Sequence, residues 1–246
     1  MSKVINQQIK LLSKSMKLSA FQAYEQVLRD SIDNKWSYEE FLLHLLQTEA
    51  QSRKQNKLLR YKRQAKFPFE KSLEEFELSK LQHIEPTIIF ELSSCDFIKK
   101  KENIILIGNP GTGKTHLSIA LGLKACLNGL RVLFTTAANL ATELIEAESE
   151  QRLGKLIKQL SKIDLLILDE LSYLSFNKYQ SELLFQVISE RSERGSLIIS
   201  TNLEFSKWED LFPDTLLTNA LIDRVTFNSH ILNMNGDSYR LSKSLD

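Results

Sequence analysis

The sequence predicts an α/β fold, a three-layer sandwich around a mostly parallel sheet, preceded by a small all-helical region. Three observations carry this expectation. Short apolar runs alternate with helical stretches after residue 80, whereas the chain before residue 67 has no strong strand signal and almost no Gly or Pro. A glycine-rich turn also stands between the first apolar run and the helix that follows it. The expected divisions are a helical region at 1–66, a linker at 67–80 and an α/β domain at 81–246.

In the helical region, Leu11, Leu12, Met16, Leu18, Phe21, Tyr24, Val27 and Leu28 recur at roughly helical spacing. Ser37 and Glu40 form a capping-box pattern ahead of Phe41, Leu42, Leu45 and Leu46. Pro68 then stops the helix within FPFEKSLEEFEL, the linker candidate. Four runs read as buried strands: NIILIG (103–108), RVLFTT (131–136), DLLILD (164–169) and SLIIST (196–201). Between them lie the helical stretches THLSIALGLKACLNG, ANLATELIEAESEQRLGKLIKQLSK and YQSELLFQVISERSERG. HILNMNGDSYRLS, at 230–242, is expected to add a short hairpin.

A formal net charge of +1 excludes a global field that attracts nucleic acid, so any basic surface must be local. Cys95 and Cys126 lie far apart without a CxxC or Cys/His spacing, and reduced thiols are expected. His44, His83, His116 and His230 are scattered and point to no metal site. No apolar run approaches the roughly 18 residues of a membrane span, and MSKVINQQIK lacks a signal-peptide core. A soluble, cytoplasmic protein is expected.

GNPGTGKTHL, at 108–117, carries the chemistry. Gly108, Asn109, Pro110, Gly111, Thr112, Gly113, Lys114 and Thr115 match G-x-x-x-x-G-K-[ST] between a strand and a helix, with His116 next. The glycines let backbone N–H groups turn inward as an anion nest, and the helix N-terminus adds its positive end. Lys114 is expected on the β/γ-phosphates of ATP, and the Thr115 hydroxyl on Mg²⁺. In LLILDE, Asp169 emerges at the C-terminal end of a strand, where open α/β sheets place ligands, and would hold the Mg²⁺ through water. Glu170 follows and is expected to orient and deprotonate a water. That favours hydrolysis over transfer to a small-molecule hydroxyl. Asn202, ending SLIISTN, is expected to position the γ-phosphate or that water.

GNPGTGKTHL, LLILDEL, IISTN, LIDRV and GDSYRL, in that order, resemble the AAA+ ATPases of the helicase-loader clade. In particular they resemble the IstB-type helper ATPases of insertion-sequence transposition. The likeness extends over nearly the whole chain, from about residue 9 to 242, and includes KFPFEKSLEEFEL and the basic N-terminal region. It implies an AAA+ module that assembles head-to-tail around double-stranded DNA, hydrolyses ATP and delivers the target to a partner transposase. It also implies that Arg224 of LIDRV acts across the subunit boundary and that Arg240 of GDSYRL senses nucleotide within its own subunit. From spacing alone, Arg224 pairing with a local acid such as Asp223, and Arg240 as a surface residue, are the simpler readings. Ser172 departs from the family pattern, which commonly has glycine there, and bears on loop geometry. The short final segment argues against a full helical lid.

QSRKQNKLLRYKRQAK, at 51–66, holds Arg53, Lys54, Lys57, Arg60, Lys62, Arg63 and Lys66 with no acidic residue. In a chain of net +1 it is the best local footprint for DNA phosphates. Lys178 and Tyr179 in FNKYQ are a second DNA candidate, and a plain helix start fits them equally. A replicative helicase loader is the close rival function. A P-loop small-molecule kinase and a scaffold that uses nucleotide only for folding are the more distant ones.

Overall fold

The structure is a computed structural model that describes residues 3–77, 81, 83–173, 175–192 and 194–239. The chain forms two compact units, Met1–Arg60 and Tyr61–Asp246.

The first unit is helical: α1 (Lys3–Ser15), α2 (Ser19–Gln22), α3 (Tyr24–Asp33) and most of α4 (Tyr38–Gln64). The capping box forms reciprocally. Ser37 N–H donates to Glu40 Oε2 at 2.7 Å, and Glu40 N–H donates to Ser37 Oγ at 3.2 Å. Ala20, Tyr24 and Leu45 are buried, but Leu11, Leu12, Met16, Leu42 and Leu46 are exposed although they share the helical period. Glu49 is buried among these helices. Its charge is matched there by the Ala20 N–H at 2.9 Å and Arg53 Nε at 2.7 Å, as a buried carboxylate requires.

The second unit is an αβα sandwich on a five-stranded sheet in the order β2-β3-β4-β1-β5, every pair parallel. The strands are β1 (Asn103–Ile107), β2 (Val132–Thr136), β3 (Leu165–Asp169), β4 (Ser196–Thr201) and β5 (Ser229–Asn233). β1, β3 and β4 are buried along their whole length, which is why their sequences run apolar without alternation. Successive residues nevertheless face opposite layers. Ile105, Ile107, Leu166, Leu168, Leu197 and Ile199 join one core with α8 (Ala137–Ser149), α9 (Leu153–Leu160), α10 (Lys178–Ser192) and α11 (Thr215–Thr226). Ile104, Leu106, Leu165, Ile167 and Ile198 join the other with α5 (Pro86–Ser93), α6 (Asp96–Lys100) and α7 (Lys114–Leu127).

The helical stretch from 138 to 162 forms two helices, broken where Gln151 turns left-handed at φ 56°. One expectation changes. Among the described residues of 230–242 no hairpin forms. Ser229–Asn233 instead pairs parallel to β1 as the sheet edge, because α11 carries the chain back to the same end of the sheet.

The segment read as a linker belongs to the second unit. Tyr61 and Ala65, at the end of α4, lie in its core, and the Ala65 carbonyl accepts the Phe134 N–H of β2 at 2.8 Å. Phe67, Leu73 and Phe76 pack against that core.

Candidate functional site

The phosphate loop leaves β1 at Gly108 and enters α7 at Lys114, with Gly111 and Gly113 at φ 83° and 94°. Gly108 is required by close approach, since a Cβ there would sit 2.5 Å from the Met234 carbonyl carbon, and Gly111 by its left-handed backbone, with Ser238 packed against it. The chain after β5 therefore runs along the loop. Met234 N–H donates to the Ile107 carbonyl at 2.6 Å, Asn109 N–H to Asn235 Oδ1 at 3.1 Å, and Tyr239 N–H to the Gly111 carbonyl at 3.0 Å.

On the other side lies the segment 67–77. Phe76 contacts Gly113 and meets the His116 ring edge-on at a centroid distance of 5.0 Å. His116 Nε2 donates to the Ser72 carbonyl at 3.0 Å, an assignment that follows because the carbonyl can only accept. Lys124 Nζ lies 2.6 Å from Glu74 and, by donating to it, holds that carboxyl down to about 2. Tyr239 Oη reaches Glu77 at 3.1 Å. Together these segments wall a cavity of about 290 Å³ lined by the phosphate loop from Pro110 to His116, by Glu170 and Asn202, and by Phe76 and Tyr239.

Lys114 is buried in the loop, its Nζ donating to the Gly108 carbonyl at 2.6 Å and the Asn109 carbonyl at 2.8 Å. Thr115 Oγ1 donates to Asp169 Oδ2 at 2.9 Å. The P-loop hydroxyl and the carboxylate that ends β3 thus meet, as the two motifs require if they serve one ion. Both are hard oxygen donors of the kind Mg²⁺ takes, at a helix N-terminus suited to phosphate. Among the described residues, no group of three or more His, Cys, Asp or Glu side chains gathers to hold a metal ion by itself. The donor set therefore fits an ion that shares its coordination with a nucleotide.

Glu170 follows Asp169 in the left-handed region, φ 56°, and lines the cavity. Its N–H donates to Ser200 Oγ at 2.9 Å, and the same hydroxyl donates to Asp169 Oδ1. Asn202 lines the cavity from the end of β4, its N–H held by Ser172 Oγ at 2.8 Å. The serine at 172 thus has a defined partner that its departure from the family pattern did not reveal. Sequence reasoning gave no role to Ser200, Phe76 and Tyr239, although IISTN, KFPFEKSLEEFEL and GDSYRL contain them, because they reach the loop only through the fold.

Arg224 stands apart from the cavity, on α11, with its guanidinium over the Phe185 ring at 4.7 Å. Arg240 lies outside the described residues. Lys178 and Tyr179 open α10, whose start is capped reciprocally by Asn177 and Gln180 at 2.9 and 3.0 Å.

In the first unit, Arg53, Lys57 and Arg60 line one groove with Lys14 and Lys17, which lie some 40 residues earlier in the chain. Arg53 is paired with Glu49, and in the second unit Lys62 is paired with Glu70, so acids outside 51–66 temper that run. Lys54, Arg63 and Lys66 are exposed, whereas Tyr61 is buried.

This sheet order, with a phosphate loop after β1 and an acidic pair after β3, defines an AAA+ P-loop nucleotide-binding domain with a helical N-terminal region. DnaA from Aquifex aeolicus, bound to AMPPCP, shares the fold at a TM-score of 0.60 and 21% identity, covering 72% of this chain and 54% of that one. The DnaC helicase loader does so at 0.53 and 20%, covering 71% and 98%. The IstB-like ATP binding protein family model matches residues 11–246, and the chain belongs to that family. It is 39% identical over 219 residues to a Pseudomonas aeruginosa protein named for ATP binding in insertion sequence IS21, covering 89% of this chain and 83% of the relative. Among the described residues no helix is long and apolar enough to cross a membrane.

Proposed function

We propose that this chain is an ATP-hydrolysing, DNA-binding helper of insertion-sequence transposition that assembles head-to-tail on duplex DNA and directs a partner transposase. One observation carries the hydrolytic part: Thr115, Glu170 and Asn202, from three separate segments, line the cavity beside the phosphate loop, and Asp169 meets Thr115 there. The loop N–H groups and Lys114 bind the phosphates of ATP. Mg²⁺, held by Thr115 and Asp169, supplies charge neutralisation on the phosphate oxygens. Asn202 orients a water whose oxygen bonds to the γ-phosphorus as the bond to the β–γ bridging oxygen breaks, giving ADP and inorganic phosphate. The Glu170 carboxylate takes the proton of that water.

Arg224, away from its own cavity, serves the neighbouring subunit's γ-phosphate, a heterologous contact that builds rings or helices. Arg240 senses nucleotide in its own subunit. DNA phosphates lie along the groove of Lys14, Lys17, Arg53, Lys57 and Arg60 in the first unit, where Lys54 adds a further cation, and Lys62, Arg63 and Lys66 are the corresponding contacts on the second unit. Lys178 and Tyr179 form a secondary contact. The insertion-sequence relatives favour transposition over helicase loading, the reading to which the DnaC-like fold gives weight. A transposase reading frame beside the gene separates the two.

The test is the ATPase rate and the size-exclusion profile, with and without duplex DNA, at two salt concentrations. Faster hydrolysis with DNA and a large ATP-dependent assembly that weakens as salt rises are expected. An ATPase rate and an elution volume indifferent to DNA would sink the reading.

A further inference from the structure

We infer that Ser200 is the positioning residue of the acidic pair: its hydroxyl aims both Asp169 and Glu170 at the nucleotide. The inference rests on the hydrolytic reading above. Ser200 lies on β4, buried to 1% exposure, directly beside the end of β3. A hydroxyl has one proton to donate and lone pairs to accept with, and both capacities are used here. The proton goes to Asp169 Oδ1, and the oxygen receives the Glu170 N–H at 2.9 Å. The Ser200 carbonyl also accepts the Leu171 N–H at 3.0 Å, so one residue of β4 fastens three consecutive residues, the last of β3 and the two that follow it.

The need for such a fastener is visible in the backbone. Glu170 is non-glycine at φ 56°, a conformation that the surroundings must impose, and its N–H has Ser200 Oγ as partner. The carboxylate of Asp169 is shared between two hydroxyls, Thr115 Oγ1 and Ser200 Oγ. Thr115 is the hydroxyl that belongs to the metal when nucleotide is bound, which leaves Ser200 to fix the carboxylate plane. An alanine at 200 keeps the strand and most of the volume but frees the carboxylate to rotate and the Glu170 turn to relax.

The experiment compares wild type, Ser200→Ala and Ser200→Thr by three readouts: kcat and KM for ATP, the Mg²⁺ concentration needed for half-maximal binding of a fluorescent ATP analogue, and the melting temperature. Loss of a group that orients a metal ligand typically costs 10–100-fold, so Ser200→Ala is expected to lower kcat by about that much and to raise the Mg²⁺ requirement severalfold. KM stays near wild type, the melting temperature of Ser200→Ala falls modestly because the Asp169 carboxylate and the Glu170 N–H lose a partner, and Ser200→Thr, which keeps a hydroxyl, recovers most of both losses. Wild-type kcat and Mg²⁺ dependence in Ser200→Ala would overturn the inference. So would parallel losses of melting temperature in both variants, which would mark Ser200 as packing alone. Should wild type itself fail to hydrolyse ATP, the proposed function falls, and the Mg²⁺-binding arm still decides the role of Ser200.

Discussion

Glu170 holds a backbone conformation that a side chain rarely adopts, φ 56°, beside a buried carboxylate and at the rim of the cavity. A left-handed non-glycine residue costs on the order of 1–2 kcal/mol, so stability alone does not favour glutamate here. Function does, if that carboxylate takes a proton from water. Glu170→Gly is therefore expected to leave the urea midpoint at or above wild type while abolishing ATP hydrolysis; a lower midpoint would show that the strain has been misjudged. At this scale the sequence was informative where chemistry is local. Gly108 to Thr115, and Asp169 with Glu170, follow from contiguous motifs. The partners of Ser200 and Ser172 were invisible because a serine's hydrogen bonding has no pattern until a neighbouring segment is placed beside it.

Elements were legible in proportion to how apolar and self-contained they are. β1, β3 and β4 are central, buried on both faces, and announce themselves as short apolar runs. β5 is an edge strand with a single fully buried residue, Leu232, so its sequence carried too little pattern to distinguish a parallel edge from a hairpin. The segment at 67–80 read as a linker because Pro68 ends the helix there. Phe67 and Phe76 find their places only against Phe134 and His116. Arg191, at the end of α10, shows how distant elements are joined. Its guanidinium donates to the Leu160 carbonyl at 2.8 Å and the Ser196 carbonyl at 3.2 Å, tying α9 to the start of β4. Burial lowers its pKa to about 10, opposed by Asp164, and it stays charged at neutral pH. Arg191→Ala is expected to cost at least about 2 kcal/mol, because two buried carbonyls lose a charged donor. Chemical denaturation measures this, with nucleotide affinity unchanged in the folded variant because Arg191 does not line the cavity. Unchanged stability would remove Arg191 as a fastener.

For the whole molecule, the balance of charge matters more than its sum. A net charge of +1 conceals a groove lined by five cations from two stretches of the first unit and by the buried Glu49. The run at 51–66 pointed to that surface, but Lys14 and Lys17 join it only through the helical fold. The second unit holds the groups proposed to bind phosphate and activate water, while Arg224, proposed to act on a neighbouring subunit, stays outside that cavity. That separation makes the central claim, hydrolysis at a site shared between subunits assembled on DNA, directly testable. Glu170→Gln lacks the base but keeps Arg224, and Arg224→Ala lacks the arginine but keeps the base. Each variant alone with duplex DNA is expected to be inactive. Mixed in equal amounts, they place an intact Glu170 beside an intact neighbouring Arg224 at about a quarter of the interfaces, and hydrolysis is expected to return to a comparable fraction of the wild-type rate. A mixture as inactive as its components, in assemblies shown to contain both variants, would contradict the shared site.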